Sequence, residues 1–130
     1  MDDVSAVRIA LADDDPTLRF VLVRLLEKIG YSVVLDVANG VELIEQCRDD
    51  EVDVALVDLD MPFMDGLAVA EVLSQRSIPV VLISGHDDAN SVVVEHEPIV
   101  ARILKPVTRQ ALQHAIEFAL STKAPRDDSL

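Results

Sequence analysis

Five residues of this 130-residue chain stand out for chemistry: Asp13, Asp14, Asp58, Ser84 and Lys105, each at or just past the end of a short apolar run. Asp13 and Asp14 follow Arg8 to Ala12 (RIALA), and Asp58 closes Val52 to Asp58 (VDVALVD). Ser84 follows Pro79 to Ile83 (PVVLI), and Lys105 follows Ile99 to Leu104 (IVARIL). As parallel strands of one sheet, these runs bring their ends to a single edge, the edge where open α/β sheets bind ligands. Three carboxylates gathered there repel one another, so either their pKa values rise or a cation sits among them. A hard divalent ion with oxygen ligands, Mg2+, is the natural partner. Lys105 adds a fixed positive charge and Ser84 a hydroxyl donor. A nucleophilic carboxylate in such company suits phosphoryl transfer, with Asp58 as the acceptor.

Taken singly, each of these features has a plainer reading. An acidic triplet such as Asp13 to Asp15 is more often a solvated turn, Lys-Pro is common in loops, and a lone serine often serves a turn or cap. Their joint placement at strand ends is what favours a site. His86, His96 and His114 lack metal-ligand spacing, and the single Cys47 cannot form an internal disulfide and reads as a small core residue.

The elements needed to position these residues are legible in the punctuation of the chain. Asp15 before Pro16 is a helix start, and Leu18, Val21, Leu22, Leu25, Leu26 and Ile29 form one apolar stripe, with Arg19, Arg24, Glu27 and Lys28 off it and Gly30 closing the helix. Ser32 to Ala38 reads as a second strand. Asn39, Gly40 and Glu42 open a helix to about Arg48 with the stripe Val41, Ile44 and Cys47. Asp65-Gly66 opens a third helix carrying Leu67, Ala70, Val72 and Leu73, and Thr108 caps a last helix with the apolar pairs Ala111/Leu112, Ala115/Ile116 and Ala119/Leu120. Between Ala89 and Pro98 the β-branched Val92 to Val94 and then Pro98 allow only a short or irregular fourth helix. Strand and helix alternate throughout, which predicts an α/β domain: a five-stranded parallel sheet, doubly wound, with right-handed crossovers.

Half the residues are hydrophobic but only 3% are aromatic, so the core is aliphatic. The formal net charge of -13 opposes contact with nucleic acid or anionic membrane. No apolar run approaches the roughly 20 residues that span a bilayer, and the acidic N-terminus is unlike a signal peptide. With one cysteine, these features predict a soluble cytoplasmic protein without membrane insertion.

The segments LADDDPTLR, LVDLDMPFMDG, VVLISGHDD and ILKP, in this order and spacing, resemble the receiver domain of two-component response regulators. The resemblance covers about residues 7 to 120 and leaves residues 1 to 6 as an extension and 121 to 130 as a polar tail. It implies a flavodoxin-like fold and a phosphoryl group accepted by Asp58 from a phosphohistidine of a sensor histidine kinase or histidine phosphotransfer protein. Asp14 and Asp58 would ligate Mg2+, Asp13 would assist through water, and the main-chain carbonyl of Asp60 would complete the protein ligands. Ser84 and Lys105 would contact the phosphoryl oxygens, and the Lys105-Pro106 peptide would be cis. Asp60 and His86, two residues after the acceptor and the hydroxyl residue, would tune the phosphoryl lifetime. Three residues before the lysine, where the family usually has a rotating aromatic, stands Arg102, either a surface residue or a replacement switch. The span from Ser84 to Lys105 is also one residue short, and Glu97-Pro98 replaces a Gly-Ala turn.

The resulting expectation is a phosphorylation-dependent switch, not an enzyme, that signals through a downstream protein effector or a phosphorelay from an atypical output face. Two alternatives stand beside it. Asp58-Leu59-Asp60 also resembles the nucleophile motif of haloacid-dehalogenase-like phosphatases, although there the acidic pair comes late in the chain. The other is a receiver-like module that only binds, against which the intact set Asp13, Asp14, Asp58, Ser84 and Lys105 argues.

Overall fold

Alternate residues of the inner strands are buried on opposite faces of a sheet, and two separate cores result. A computed structural model describes residues 6–48, 50–61, 63–85 and 99–122, the side chains at 99 and 100 excepted. Its elements are β1 (Arg8–Ala12), α1 (Pro16–Ile29), β2 (Ser32–Val37), α2 (Gly40–Gln46), β3 (Val54–Asp58), α3 (Gly66–Gln75), β4 (Val80–Ser84), β5 (Ile99–Leu104) and α4 (Arg109–Thr122). Ile9, Leu11, Val54, Leu56, Val81, Ile83 and Ile103 point to the face covered by α1 and α4. Ala10, Ala12, Ala55, Val57 and Val80 point to the face covered by α2 and α3. Every residue of β3 and β4 is buried, as expected for central strands covered on both sides.

All five strands are parallel in the order β2-β1-β3-β4-β5, the doubly wound flavodoxin-like arrangement. The chain runs outward in opposite directions from the β1/β3 pair. A crevice therefore opens above the carboxyl ends of those two strands, where Asp13 and Asp58 lie.

Local chemistry sets the helix starts. Asp15 accepts hydrogen bonds from Thr17 N–H (3.0 Å) and Leu18 N–H (3.2 Å), with Pro16 at the first helical position. Asn39 accepts from Glu42 N–H (2.9 Å) while the Glu42 carboxylate accepts from Ala38 N–H (3.1 Å), a reciprocal cap. Asp65 and Thr108 cap α3 and α4 through Ala68 N–H (2.9 Å) and Ala111 N–H (3.1 Å). Each such cap contributes about 1 kcal/mol. Gly30 ends α1 at φ 116°, a conformation side chains disfavour, and its N–H bonds Leu26 and Glu27 carbonyls.

Three expected stripes need correction. On α3 the buried line is Val69, Ala70 and Leu73, and Leu67 and Val72 are only partly buried. Val21 is half exposed, because α1 is inserted along Leu22 and Leu26, and Val21 falls on the shoulder of that line. On α2, Val41 is exposed and Leu43 is fully buried. Gly40 explains the rotation: a Cβ there would collide with Val69, so the bare glycine lets α2 press against α3 with Gly40, Leu43 and Cys47 inward. The strand and helix limits otherwise differ from expectation by two residues at most. The expected short helix between Ala89 and Pro98, together with His86 and His96, lies outside the described residues. Among the described residues no helix is long and apolar enough to cross a membrane.

Candidate functional site

The site is built where β1, β3, β4 and β5 end. Strand β1 passes Asp13 into the loop before α1, and Asp13 is fully buried while Asp14 and Asp15 are exposed. The backbone N–H of Asp13 donates to Val37 O of β2 (3.2 Å), and its Oδ1 accepts from Asp15 N–H (2.9 Å). Its Oδ2 is buried without a hydrogen-bond partner. Asp58, the last residue of β3, is 2% exposed. One carboxylate oxygen from each of Asp13, Asp14 and Asp58 lies within 4.8 Å of the other two.

Opposite charge reaches this cluster from β5. Lys105 follows the strand end, its N–H bonded to Ser84 O (2.9 Å), and its Nζ stands 3.6 Å from Asp58 Oδ1. Asp60 N–H reaches the same Oδ1 at 3.5 Å. Burial is the main reason the Asp58 carboxyl is pushed up to about 6; the Asp13 charge adds to this and Lys105 opposes it. Burial raises Asp13 too, against the Asp15 N–H and Lys105. Ser84 Oγ, at the end of β4, is buried and has no hydrogen-bond partner among the described residues. Lys105-Pro106 is a cis peptide.

The donor set suits a hard cation. Its side chains offer carboxylate oxygens, and Asp13 also carries in Oδ2 a buried acceptor with no hydrogen-bond partner among the described residues. Lys105 brings a positive charge and Ser84 a buried hydroxyl, the charge and the donor that an oxyanion calls for, whereas the carboxylates need a cation between them and any such anion.

Of the residues singled out from sequence, Asp13, Asp14, Asp58 and Lys105 come together, and Ser84 ends the neighbouring strand. Asp60 contributes its amide to Asp58. Arg102 instead lines the groove between β5 and α4 with Leu104, Ala111 and His114. His86 is outside the described residues.

Two residues that support the site were not picked out by sequence reasoning. Gly66 read only as a helix start, yet a Cβ there would lie 2.8 Å from Asp58 O and 2.8 Å from Leu59 Cα. Its N–H donates to Leu59 O (2.9 Å), so α3 is seated directly on the end of β3. Arg19 read as a polar residue off the α1 stripe. Its Nη1 donates to Asp13 O (2.8 Å) and its Nε pairs with Asp36 Oδ1 (2.8 Å). The available signal was position: helical side chains lean toward the N-terminus, so an arginine one turn inside α1 overhangs the preceding loop.

A family model described as the response regulator receiver domain matches residues 9–117. The transcriptional regulatory protein GlrR of Escherichia coli (strain K12) is 35% identical over 121 residues, which are 91% of this chain and 27% of that protein. The transcriptional regulatory protein PdtaR of Mycobacterium tuberculosis (strain ATCC 25618 / H37Rv) is 29% identical over 116 residues, 88% of this chain and 57% of that protein. The chain thus spans about a quarter of the first relative and somewhat over half of the second. Among solved structures, the signal receiver domain of NarL from Mycobacterium tuberculosis superposes with a TM-score of 0.80 at 32% identity, over 92% of this chain and 99% of that one. A response regulator receiver domain protein from Clostridium thermocellum gives 0.76 at 27% identity, over 88% and 94%.

Proposed function

The chain belongs to the response regulator receiver domain family, the signalling modules of two-component systems, and on that premise we propose that Asp58 is its phosphoryl acceptor and a partner phosphohistidine its donor. The observation that carries this reading is the Asp58 carboxylate, buried at the end of β3 within the carboxylate cluster and 3.6 Å from Lys105 Nζ. With its pKa near 6, Asp58 is ionised at neutral pH and available as a nucleophile. A carboxylate oxygen attacks phosphorus as the phosphorus–nitrogen bond to the donor imidazole breaks, and the imidazole leaves with that electron pair. Lys105 balances charge gathering on the phosphoryl oxygens, and Ser84 donates its unpartnered hydroxyl to one of them.

Asp14 and Asp58 would hold Mg2+ directly, with Asp60 through its main-chain carbonyl and Asp13 through water. The bound ion supplies the charge neutralisation that lets a phosphoryl group approach a carboxylate cluster. Asp13 belongs to the carboxylate cluster and its Oδ2 is a buried acceptor without a hydrogen-bond partner, which supports that assignment.

The histidine-bearing partner is a kinase or phosphotransfer protein, and output passes to a downstream protein effector or onward in a relay. The names of GlrR and PdtaR describe transcriptional regulators, each longer than the matched segment. For the segment in hand, a net charge of -13 favours protein contact over contact with DNA. Arg102, in its groove between β5 and α4, would serve output, and Asp60 and His86 would tune lifetime.

Incubation with acetyl phosphate and Mg2+, followed by intact-mass measurement, tests the reading. The native chain gains one phosphoryl group and Asp58→Asn gains none. Equal labelling of the two proteins refutes Asp58 as acceptor.

A further inference from the structure

We infer that Arg19 is a positioning residue for the acidic cluster, fixing the peptide that presents Asp14. The inference rests on the reading of that cluster as a Mg2+ site. Asp13 is held at three of its four polar groups: its N–H by Val37 O (3.2 Å), its Oδ1 by Asp15 N–H (2.9 Å) and its carbonyl by Arg19 Nη1 (2.8 Å). Only Oδ2 is left, buried and without a partner. The carbonyl of Asp13 shares its plane with the N–H and Cα of Asp14. Holding that carbonyl therefore sets the direction in which Asp14 leaves the loop, ahead of α1, whose helix starts at Pro16.

Arg19 is itself anchored. Its Nε pairs with Asp36 Oδ1 (2.8 Å) on β2, so one planar guanidinium joins the helix, the edge strand and the loop. Lysine has no such fork and reaches one of the two oxygens at a time. Because Asp36 balances its charge, Arg19 orients the loop without placing an unmatched cation beside the carboxylates. Groups that orient metal ligands typically change affinity 10–100-fold when removed.

The test is Mg2+ titration of the full chain by calorimetry, with native protein, Arg19→Ala, Arg19→Lys and Asp36→Ala compared. Arg19→Ala is expected to weaken Mg2+ binding about tenfold or more, and Arg19→Lys and Asp36→Ala by a smaller factor. Acetyl phosphate labelling of Arg19→Ala returns to the native extent at saturating Mg2+, which separates lost positioning from lost chemistry. A folded Arg19→Ala that binds Mg2+ within twofold of native overturns the inference while leaving the site reading intact. Native protein that fails to bind Mg2+ overturns the site reading itself. Should Arg19→Ala not fold, Asp36→Ala decides the matter: weakened binding supports the anchor and native binding refutes it.

Discussion

Replacing Asp58 by asparagine is expected to make the metal-free protein more stable at neutral pH while destroying its reactivity. The native fold holds the Asp58 carboxyl at about 6, against 3.8 for the unperturbed group. At about 1.4 kcal/mol per pH unit, ionising Asp58 in the folded state costs about 3 kcal/mol more than in the unfolded chain. The sign follows from proton binding. Between pH 3.8 and 6 the folded state holds this proton more tightly than the unfolded state, so stability falls as pH rises through that window and levels off above it. Asparagine resembles the protonated carboxyl in shape and carries no charge. Asp58→Asn should therefore gain up to about 3 kcal/mol at pH 7.5, with the gain vanishing near pH 3.5. A fall in stability that remains in the variant includes Asp13, whose carboxyl burial also raises. Urea unfolding in EDTA, repeated across this range, measures both. An Asp58→Asn protein no more stable than native at pH 7.5 would refute the claim that the ionised carboxylate is held at a cost.

Two further outcomes follow from the same geometry. Mg2+ should raise the melting temperature of the native chain more at pH 7.5 than at pH 5, because protons compete for the carboxylates of Asp13 and Asp58; equal increments at both pH values would place the ion elsewhere. Gly66→Ala should cost about 1–3 kcal/mol in urea unfolding and slow acetyl phosphate labelling, since the added Cβ meets the Asp58 carbonyl and Leu59 Cα, backbone atoms that cannot yield without moving the acceptor; unchanged stability and labelling would show that α3 is not seated as described.

Local chemistry explains why so much of the fold was legible. Asp15 with Pro16, Asn39 with Glu42, Asp65 and Thr108 act on amides two or three residues away, and all four mark helix starts in the structure. The limits of β1 and β5 coincide with their apolar runs. The faces of helices were less legible. Whether Val41 or Leu43 of α2 points inward depends on how closely α2 approaches α3, and that distance is set by Gly40 and Val69, 29 positions apart in the chain.

For the site, sequence determined which residues could react: carboxylates, a lysine and a serine at the ends of runs too apolar to be anything but buried strands. Such types and placements are properties of short segments, and short segments report their own periodicity and caps. Tertiary structure alone decided what those residues became to one another. The parallel order β2-β1-β3-β4-β5 brings Asp13 beside Asp58 across 45 positions, and burial raises the pKa of both. It also turns Arg19 and Gly66 from a polar helix residue and a helix start into supports of the site, through contacts with Asp36 and with the β3 backbone. Desolvation, charge pairing and close approach depend on distance through space, which separation along the chain does not encode.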